Sequence, residues 1–140
     1  MSKLAVVYWS GTGNTEQMAN AVADAAKAKG MEVDLLGPNE FDSSKVDAYD
    51  AIVFGCPAMG AEVLEESEFE PMFTSVEGSL SGKKVGLFGS YGWGDGQWMR
   101  DWEDRVRVSG AELIQDGVVA NNAPDDAALA QCAALVDALG

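Results

Sequence analysis

The sequence contains no histidine, two cysteines and few basic residues. Without histidine, it lacks the side chain that proteins use most often as a general base and as a metal ligand, so we expect no metal site. Cys56 and Cys132 match no CxxC or zinc-binding spacing. We interpret both as small buried thiols rather than as a disulfide. No apolar run approaches the ~18 residues of a membrane span, and residues 1–13 show no signal-peptide cleavage pattern, so we expect a cytoplasmic protein that binds no membrane.

Acidic residues far outnumber basic ones. Nine Lys and Arg stand against 23 Asp and Glu, which gives a formal net charge of -14. Such a chain repels the phosphates of DNA and RNA, so we expect no nucleic-acid binding. Complementary fields speed the encounter of oppositely charged proteins, so basic protein surfaces are the expected partners. No large apolar surface stripe is evident in the sequence, and we expect a monomer.

The 140 residues are 47% hydrophobic and show no internal repeat or linker. We therefore expect one domain over residues 1–140 with a core of its own. Apolar runs predict strands, and helical spacing of apolar residues predicts helices between them. The predicted strands are 4–9, 31–36, 51–56, 83–89 and 112–120, the last interrupted at 116–117. The predicted helices are 14–29, 65–77 with a kink or split at Pro71, 96–109 and 125–139.

This alternation predicts an α/β fold in which an open parallel sheet of five strands is doubly wound, with helices on both faces. The flavodoxin-like strand order 2-1-3-4-5 suits the length. In such sheets ligands bind beyond the carboxyl ends of the strands. The loops of interest are therefore 10–15, 57–62, 90–96 and 121–124.

The first of these loops is rich in glycine and hydroxyl groups and joins a strand directly to a helix. It offers hydrogen-bond donors and the positive end of a helix dipole, which together favour a phosphate. The alternative is a simple helix N-cap by a hydroxyl. The dinucleotide fingerprint fails because Glu16 stands where a glycine is needed, and the P-loop pattern is absent. The candidate phosphate-binding residues are Ser10, Gly11, Thr12, Gly13, Asn14 and Thr15.

Two further loops carry exposed apolar side chains among glycines, which favours a flat aromatic ligand. Trp93 could stack on one face of a planar ring and the polarizable Met59 on the other, although ordinary hydrophobic packing is the alternative. Trp98 and Trp102 lie four residues apart on a helix and are expected in the core, and Tyr8 and Trp9 are also interpreted as structural. The candidate ring-binding residues are Pro57, Ala58, Met59, Gly60, Ala61, Glu62, Ser90, Tyr91, Gly92, Trp93, Gly94 and Asp95.

The segments VVYWSGTGNTE, GCPAMGAEVLEESEFEP and GSYGWGDGQWMRDWE resemble the short-chain flavodoxins, especially the clostridial type, and the similarity spans essentially the whole chain. The resemblance implies FMN as the cofactor, with its phosphate in loop 10–15 and its ribityl chain near Asn122. It also implies that Met59 and Trp93 flank the isoalloxazine ring and that the Glu62 carboxylate accepts a hydrogen bond from N3 of the ring.

The resemblance further implies that the Gly60 peptide turns over on one-electron reduction, so that its carbonyl accepts from N5. Relatives often have Asp or Ser after this glycine, whereas this chain has Ala61. Any side-chain contribution at that position to the stability of the semiquinone is therefore absent here.

The function implied is that of a low-potential one-electron carrier that shuttles between semiquinone and hydroquinone and passes electrons between redox partner proteins. It is an electron-transfer protein rather than an enzyme. Between Val46 and Gly82 there are eight acidic residues and no basic one, with five glutamates in 62–70. Several carboxylates near an anionic hydroquinone would lower that couple by on the order of 100–200 mV. The alternative for each single glutamate is an ordinary solvated helix face.

Four other functions compete with that of an electron carrier. An FMN-dependent NAD(P)H or quinone reductase would need a pocket for a second substrate, for which 140 residues without histidine offer little room. A receiver domain needs an aspartate where Cys56 and Pro57 stand, and a small phosphatase needs an arginine where Glu62 stands. Non-redox storage of FMN remains open from the sequence, although the glycine at position 60 would then have no role.

Overall fold

A computed structural model describes residues 3–11, 13–59, 63–92 and 96–138. The strands are β1 (Lys3–Tyr8), β2 (Glu32–Leu36), β3 (Ala51–Gly55), β4 (Lys84–Tyr91), β5 (Glu112–Leu113) and β6 (Val118–Asn121). The helices are α1 (Asn14–Ala28), α2 (Phe69–Glu77), α3 (Gln97–Val108) and α4 (Asp126–Ala138), with short 3-10 turns at Pro38–Glu40 and Ser43–Ala48. Among the described residues, no helix is both long enough and apolar enough to cross a membrane.

The strands form one parallel sheet in the order β2-β1-β3-β4-β5, with β6 also paired to β4. This confirms the predicted order 2-1-3-4-5. The predicted fifth strand is split, as its sequence suggested: β5 pairs with Lys84 and Val85, and β6 pairs with residues 88–91 of the same strand. At the break, the Gly117 amide donates to the Glu103 carboxylate of α3. The sheet therefore has six strands, and the last two, β5 and β6, pair with β4 at different positions along it.

The two faces of the sheet bury separate cores because alternate residues of each strand point to opposite sides. On one face Leu4 and Val6 pack with α1 and α4, and on the other Ala5 and Val7 pack with α2 and α3. Trp98 and Trp102 are almost completely buried in the second core. This confirms their predicted core role. The loops at the carboxyl ends of the strands remain the candidates for a ligand site.

Helix α2 begins later than the sequence suggested. The prediction was a helix over 65–77 that Pro71 would kink or split, but the helix begins at Phe69. Pro71 thus lies in the first turn, where a missing N–H costs nothing because that position has no partner within the helix. Residues 65–68 form the approach to the helix instead, and no kink is needed.

Arg105 of α3 ties the two helices on this face together. Its guanidinium donates to both carboxylate oxygens of Glu70 at 2.7 and 3.0 Å and to both of Glu77 at 3.3 and 3.2 Å. It also lies over the ring of Phe73, 4.9 Å from the centroid. Bidentate arginine–carboxylate pairs are geometrically specific, so this contact fixes how α2 packs beside α3.

Candidate functional site

All four predicted loops meet at the carboxyl ends of the strands. There they enclose an open cavity of about 370 Å³ between β1 and β3, the neighbours at which the strand order reverses. Ligand pockets in proteins usually span ~300–1,000 Å³, and open α/β sheets place them at such switch points. The cavity is lined by Trp9, Gly11, Asn14, Pro57, Ala58, Met59, Ser90, Tyr91, Gly92 and Asn122.

The loop after β1 is closed by the Ser10 hydroxyl. Its oxygen accepts hydrogen bonds from the amides of Gly13 at 3.1 Å and Glu16 at 3.3 Å. Gly13 is the N-cap of α1 and has φ +95°, a left-handed conformation that favours glycine. The Ser10 hydroxyl thus accepts from an amide in the first turn of α1 although Gly13, and not Ser10, is the N-cap, while Gly11 and Asn14 line the cavity beside the same helix end.

Thr15 connects this loop to the end of β4. Its side chain is buried, with 1% of the residue exposed, and its hydroxyl lies 3.1 Å from the hydroxyl of Ser90. Ser90 lines the cavity, and its carbonyl accepts from the Ala58 amide at 3.0 Å. One chain of hydrogen bonds therefore joins the start of α1, the end of β4 and the loop after β3.

The segment after β3 leaves the sheet at Cys56 and lines the cavity with Pro57, Ala58 and Met59. Met59 and Val63 exchange two backbone hydrogen bonds, of 2.8 and 2.9 Å. Both side chains are more than a third exposed, at 36% and 37%. This backbone pairing holds the cavity-lining residue Met59 against Val63.

Asn122 closes the cavity from the far side. Its amide donates to the Tyr91 carbonyl at 2.7 Å, and its φ of +58° is one that asparagine tolerates better than most residues. A Cβ on Gly92 would lie 3.1 Å from the Asn122 side-chain oxygen, and one on Gly11 would lie 3.0 Å from the Trp9 ring. Both glycines therefore leave room that larger residues would fill.

Seven predicted site residues lie outside the described residues: Thr12, Gly60, Ala61, Glu62, Trp93, Gly94 and Asp95. Sequence reasoning gave no cavity role to Trp9. This side chain packs against the second core, as expected, and also lines the cavity. Its position directly after β1 and before the glycine-rich loop was the available signal.

None of the described residues that line the cavity is charged. A phosphate there would be held by amides, hydroxyls and the N-terminus of α1, a 15-residue helix, as the sequence predicts. Backbone donors of this kind bind anions well without a lysine or arginine. The hydrogen-bonding groups of the loop after β1, together with the Met59 and Tyr91 side chains, suit a ligand with a polar tail and a flat apolar head.

The acidic segment beside the site is more differentiated than its sequence. Glu66 and Glu68 are exposed, whereas Glu65 is 7% exposed and Glu70 is paired with Arg105. Burial raises the pKa of the Glu65 carboxyl, but hydrogen bonds from the backbone amides of Phe69, Glu68 and Ser67 outweigh this effect and lower the pKa below its usual value. The Glu65 carboxylate is thus part of the folded framework rather than of a solvated face.

Both thiols are free and buried, which confirms the interpretation from the sequence. Burial raises the pKa of both, that of Cys132 to about 12. Thiolate is the nucleophile and the metal ligand, so burial and a raised pKa both disfavour reaction of these side chains. Among the described ranges, no group of three or more His, Cys, Asp or Glu side chains could hold a metal ion.

The strand order and the uncharged cavity at the switch point define a mononucleotide-binding protein of the doubly wound α/β class. The sequence matches the Flavodoxin family model over residues 6–135. It is 51% identical over 122 residues to the flavodoxin of Megasphaera elsdenii and 47% identical over 122 residues to that of Clostridium beijerinckii, in each case over 87% of this chain and 88% of the relative. The fold superimposes with a TM-score of 0.89 on the solution structure of two-electron reduced M. elsdenii flavodoxin, with 47% identity and 97% coverage of both chains.

The chain belongs to the flavodoxin family. Flavodoxins bind FMN and carry electrons to redox partner proteins, so this chain is an FMN-binding electron carrier and not a substrate-converting enzyme. The alternative of an FMN-dependent reductase is not favoured. The donor set described above, which is uncharged and rich in amides and hydroxyls, fits the phosphate and the ring of FMN.

Proposed function

We propose that this chain is a single-domain, monomeric, cytoplasmic carrier that moves one electron at a time at low potential and docks with basic surfaces of its redox partners. The observation that carries the proposal is the uncharged cavity at the switch point, lined from the loops after four strands, in a chain of net charge -14. FMN supplies reversible one-electron chemistry when it is bound.

The loop after β1 would hold the phosphate of FMN. Gly11 and Asn14 line the cavity, and the α1 N-terminus lies beside them. The same assignment includes Ser10, Thr12, Gly13 and Thr15 by their places in the loop. Asn122, whose backbone is anchored to Tyr91 and whose side chain faces the cavity, would contact the ribityl chain.

The ring would lie in the apolar part of the cavity, against Met59 and Trp93, with residues 57–62 and 90–95 around it. Support comes from the exposed Met59 side chain and from the hydrogen bonds that fix its neighbours: Ala58 to Ser90, and Met59 to Val63. In this arrangement the chain's own groups exclude water from the ring faces. Glu62 would accept a hydrogen bond from N3 of the ring, and the Gly60 carbonyl would accept one from N5.

Fewer free carboxylates surround the site than the sequence count suggests. Arg105 pairs with both Glu70 and Glu77, which leaves one net negative charge among the three groups, and the Glu65 carboxylate is engaged by three backbone amides. The described acids of this segment that remain unpaired are Glu66 and Glu68. We therefore assign to these two the electrostatic part of the function: opposing negative charge on the bound cofactor and attracting basic partners.

A reductive titration tests the cofactor and the carrier function together. Purified protein with added FMN is titrated anaerobically with dithionite while visible absorbance is recorded. We expect tight uptake of one FMN per chain and a blue long-wavelength band that peaks at half reduction. Protein that is colourless and takes up no FMN at micromolar concentration would contradict the proposal, and steady oxidation of NADPH without a separate reductase would favour the enzyme instead.

The docking proposal is tested with a matched pair of charge variants. Glu66→Gln with Glu68→Gln removes two exposed charges beside the site, and Asp24→Asn with Asp47→Asn removes two exposed charges that lie elsewhere. Electron transfer to cytochrome c, a basic haem protein used as the probe, is followed at low and high salt. We expect the first variant to be several-fold slower at low salt and the difference to vanish at high salt. Equal rates for both pairs at low salt would contradict a localised docking surface.

A further inference from the structure

Glu65 satisfies every donor at the start of α2. Its carboxylate accepts three backbone hydrogen bonds, and its carbonyl accepts a fourth from the Glu70 amide at 2.8 Å. The three carboxylate donors are the amides of Ser67, Glu68 and Phe69, at 2.9, 2.8 and 2.9 Å. The next residue, Pro71, has no N–H. The first turn of an α-helix ordinarily leaves four amides without partners. In α2 only three of these positions, Glu68, Phe69 and Glu70, carry an N–H, and Glu65 accepts from all three.

The same residue is bonded to the end of β3. The Glu65 amide donates to the Cys56 sulfur at 3.3 Å, and the Cys56 thiol in turn donates to the Pro57 carbonyl at 3.5 Å. Cys56 is completely buried, and its own carbonyl accepts from the indole N–H of Trp98 at 3.1 Å. Glu65 thus joins two fixed points, the end of the sheet and the start of the helix.

Between these two points lie residues that line the cavity. Pro57, Ala58 and Met59 follow Cys56 at the cavity wall, and Val63 pairs with Met59. Leu64, directly before Glu65, is 5% exposed and packs in the second core. Glu65 therefore holds residues 63–64, which are paired to the cavity wall at Met59.

We propose that Glu65 is a positioning residue for the flavin ring. Its carboxylate anchors residues 63–65 to α2, and its amide anchors them to Cys56. The pairing of Val63 with Met59 transmits this constraint to the cavity wall, residues 57–59. The inference rests on the proposed function, because it assumes that the ring lies against this segment. Glu65 does not line the cavity, so it acts through the segment rather than by touching the ligand.

Replacement by glutamine separates this role from that of charge. Gln has the shape of Glu but one oxygen acceptor, and its NH₂ group would face an amide that is itself a donor. Glu66→Gln removes the same charge from an exposed neighbour and is the matched control. A general electrostatic effect predicts similar behaviour for the two variants, whereas positioning predicts that only Glu65→Gln weakens ring binding.

The experiment titrates the apo-forms of wild type, Glu65→Gln and Glu66→Gln with FMN and with riboflavin, which has the ring without the phosphate. We expect Glu65→Gln to bind both ligands about tenfold more weakly, equivalent to about 1.4 kcal/mol. Glu66→Gln, whose assigned role acts on charge alone, should bind the uncharged riboflavin within about twofold of wild type. The visible spectrum of the bound flavin should change in Glu65→Gln alone, which a loss of global stability would not produce. Riboflavin affinity and spectrum equal to those of the control would overturn the inference.

A second variant keeps the test decisive if Glu65→Gln does not fold. Cys56→Ala removes the acceptor of the Glu65 amide and leaves the helix cap intact, and we expect it to weaken riboflavin binding about threefold. Unchanged riboflavin binding by this variant would then overturn the inference. Wild-type protein that binds neither flavin would instead refute the proposed function, so the two failures are distinguishable.

Discussion

Replacement of Gly13 by alanine should separate backbone strain from crowding in the loop after β1. Gly13 has φ +95°, and a Cβ built there meets no atom within 4 Å. The cost is therefore that of the left-handed conformation alone, about 1–2 kcal/mol for an L-residue. Unfolding entropy is ~2.1 cal/mol/K per residue, so about 0.3 kcal/mol/K for this chain, and the Tm of the apo-protein should fall by about 3–7 °C.

Two other glycines provide controls in which a Cβ also meets nothing within 4 Å. Gly30, at the end of α1, has φ +84°, so Gly30→Ala is strained but lies far from the cavity-lining loops. Gly78 has φ -71°, an ordinary right-handed conformation, so Gly78→Ala should be neutral or stabilising by about 0.4–1 kcal/mol.

The assay combines thermal unfolding of the apo-proteins with FMN titration. Gly13→Ala and Gly30→Ala should lose similar stability. Only Gly13→Ala should also bind FMN more weakly, by about five- to thirtyfold, which corresponds to about 1–2 kcal/mol for returning a relaxed loop to its binding conformation. If Gly13→Ala unfolds at the same temperature as Gly78→Ala, the strain argument is refuted. If Gly30→Ala loses as much FMN affinity as Gly13→Ala, the assignment of this loop to the phosphate is refuted.

Three further outcomes follow from side-chain environments. Arg105→Met should lower the free energy of unfolding in urea by about 1–2 kcal/mol, because two half-buried carboxylates lose their shared cation, whereas the exposed Arg107→Met should stay within about 0.5 kcal/mol; equal effects would contradict this. Because the pKa of Glu65 is lowered in the folded state, its stabilising contribution is complete above about pH 4.5 and is lost as the pH falls through the folded pKa, so the Glu65→Gln curve of urea midpoint against pH should be flatter than that of wild type in this range, and parallel curves would count against it. Cys56 and Cys132 should react with Ellman's reagent at pH 8 only on unfolding, since burial raises both pKa values, and immediate labelling of the folded protein would refute their burial.

The fold and the place of the site could be predicted from the sequence because they depend on local patterns. Continuous apolar runs mark buried parallel strands, and the glycine-rich loops after them mark the ligand edge. Nine of the ten described residues that line the cavity were among the candidates. Trp9 was the exception, because the continuous apolar run made it look like one more residue of the strand.

The details that were missed depend on contacts between distant parts of the chain. The glutamates at 65, 66, 68 and 70 are equivalent in the sequence, and only packing makes one a helix cap, one an ion-pair partner and two free. The helical pattern of 65–77 was interrupted only by Pro71, whose tolerance in a first helical turn was the available signal for a start near Phe69. The pairing of Arg105 with Glu70 spans 35 positions and has no local signature.

The hydroxyl contact between Thr15 and Ser90 has a consequence for how tightly one long molecule can be held. It joins the start of α1, beside the loop proposed to hold the phosphate, to Ser90, a cavity-lining residue at the end of β4. A ligand that already touches one loop therefore meets the second at a high effective concentration, as in a chelate. Two sets of contacts that are weak individually, neither of which includes a lysine or an arginine, would then together bind the ligand tightly. Fragments of the same molecule added separately would bind weakly.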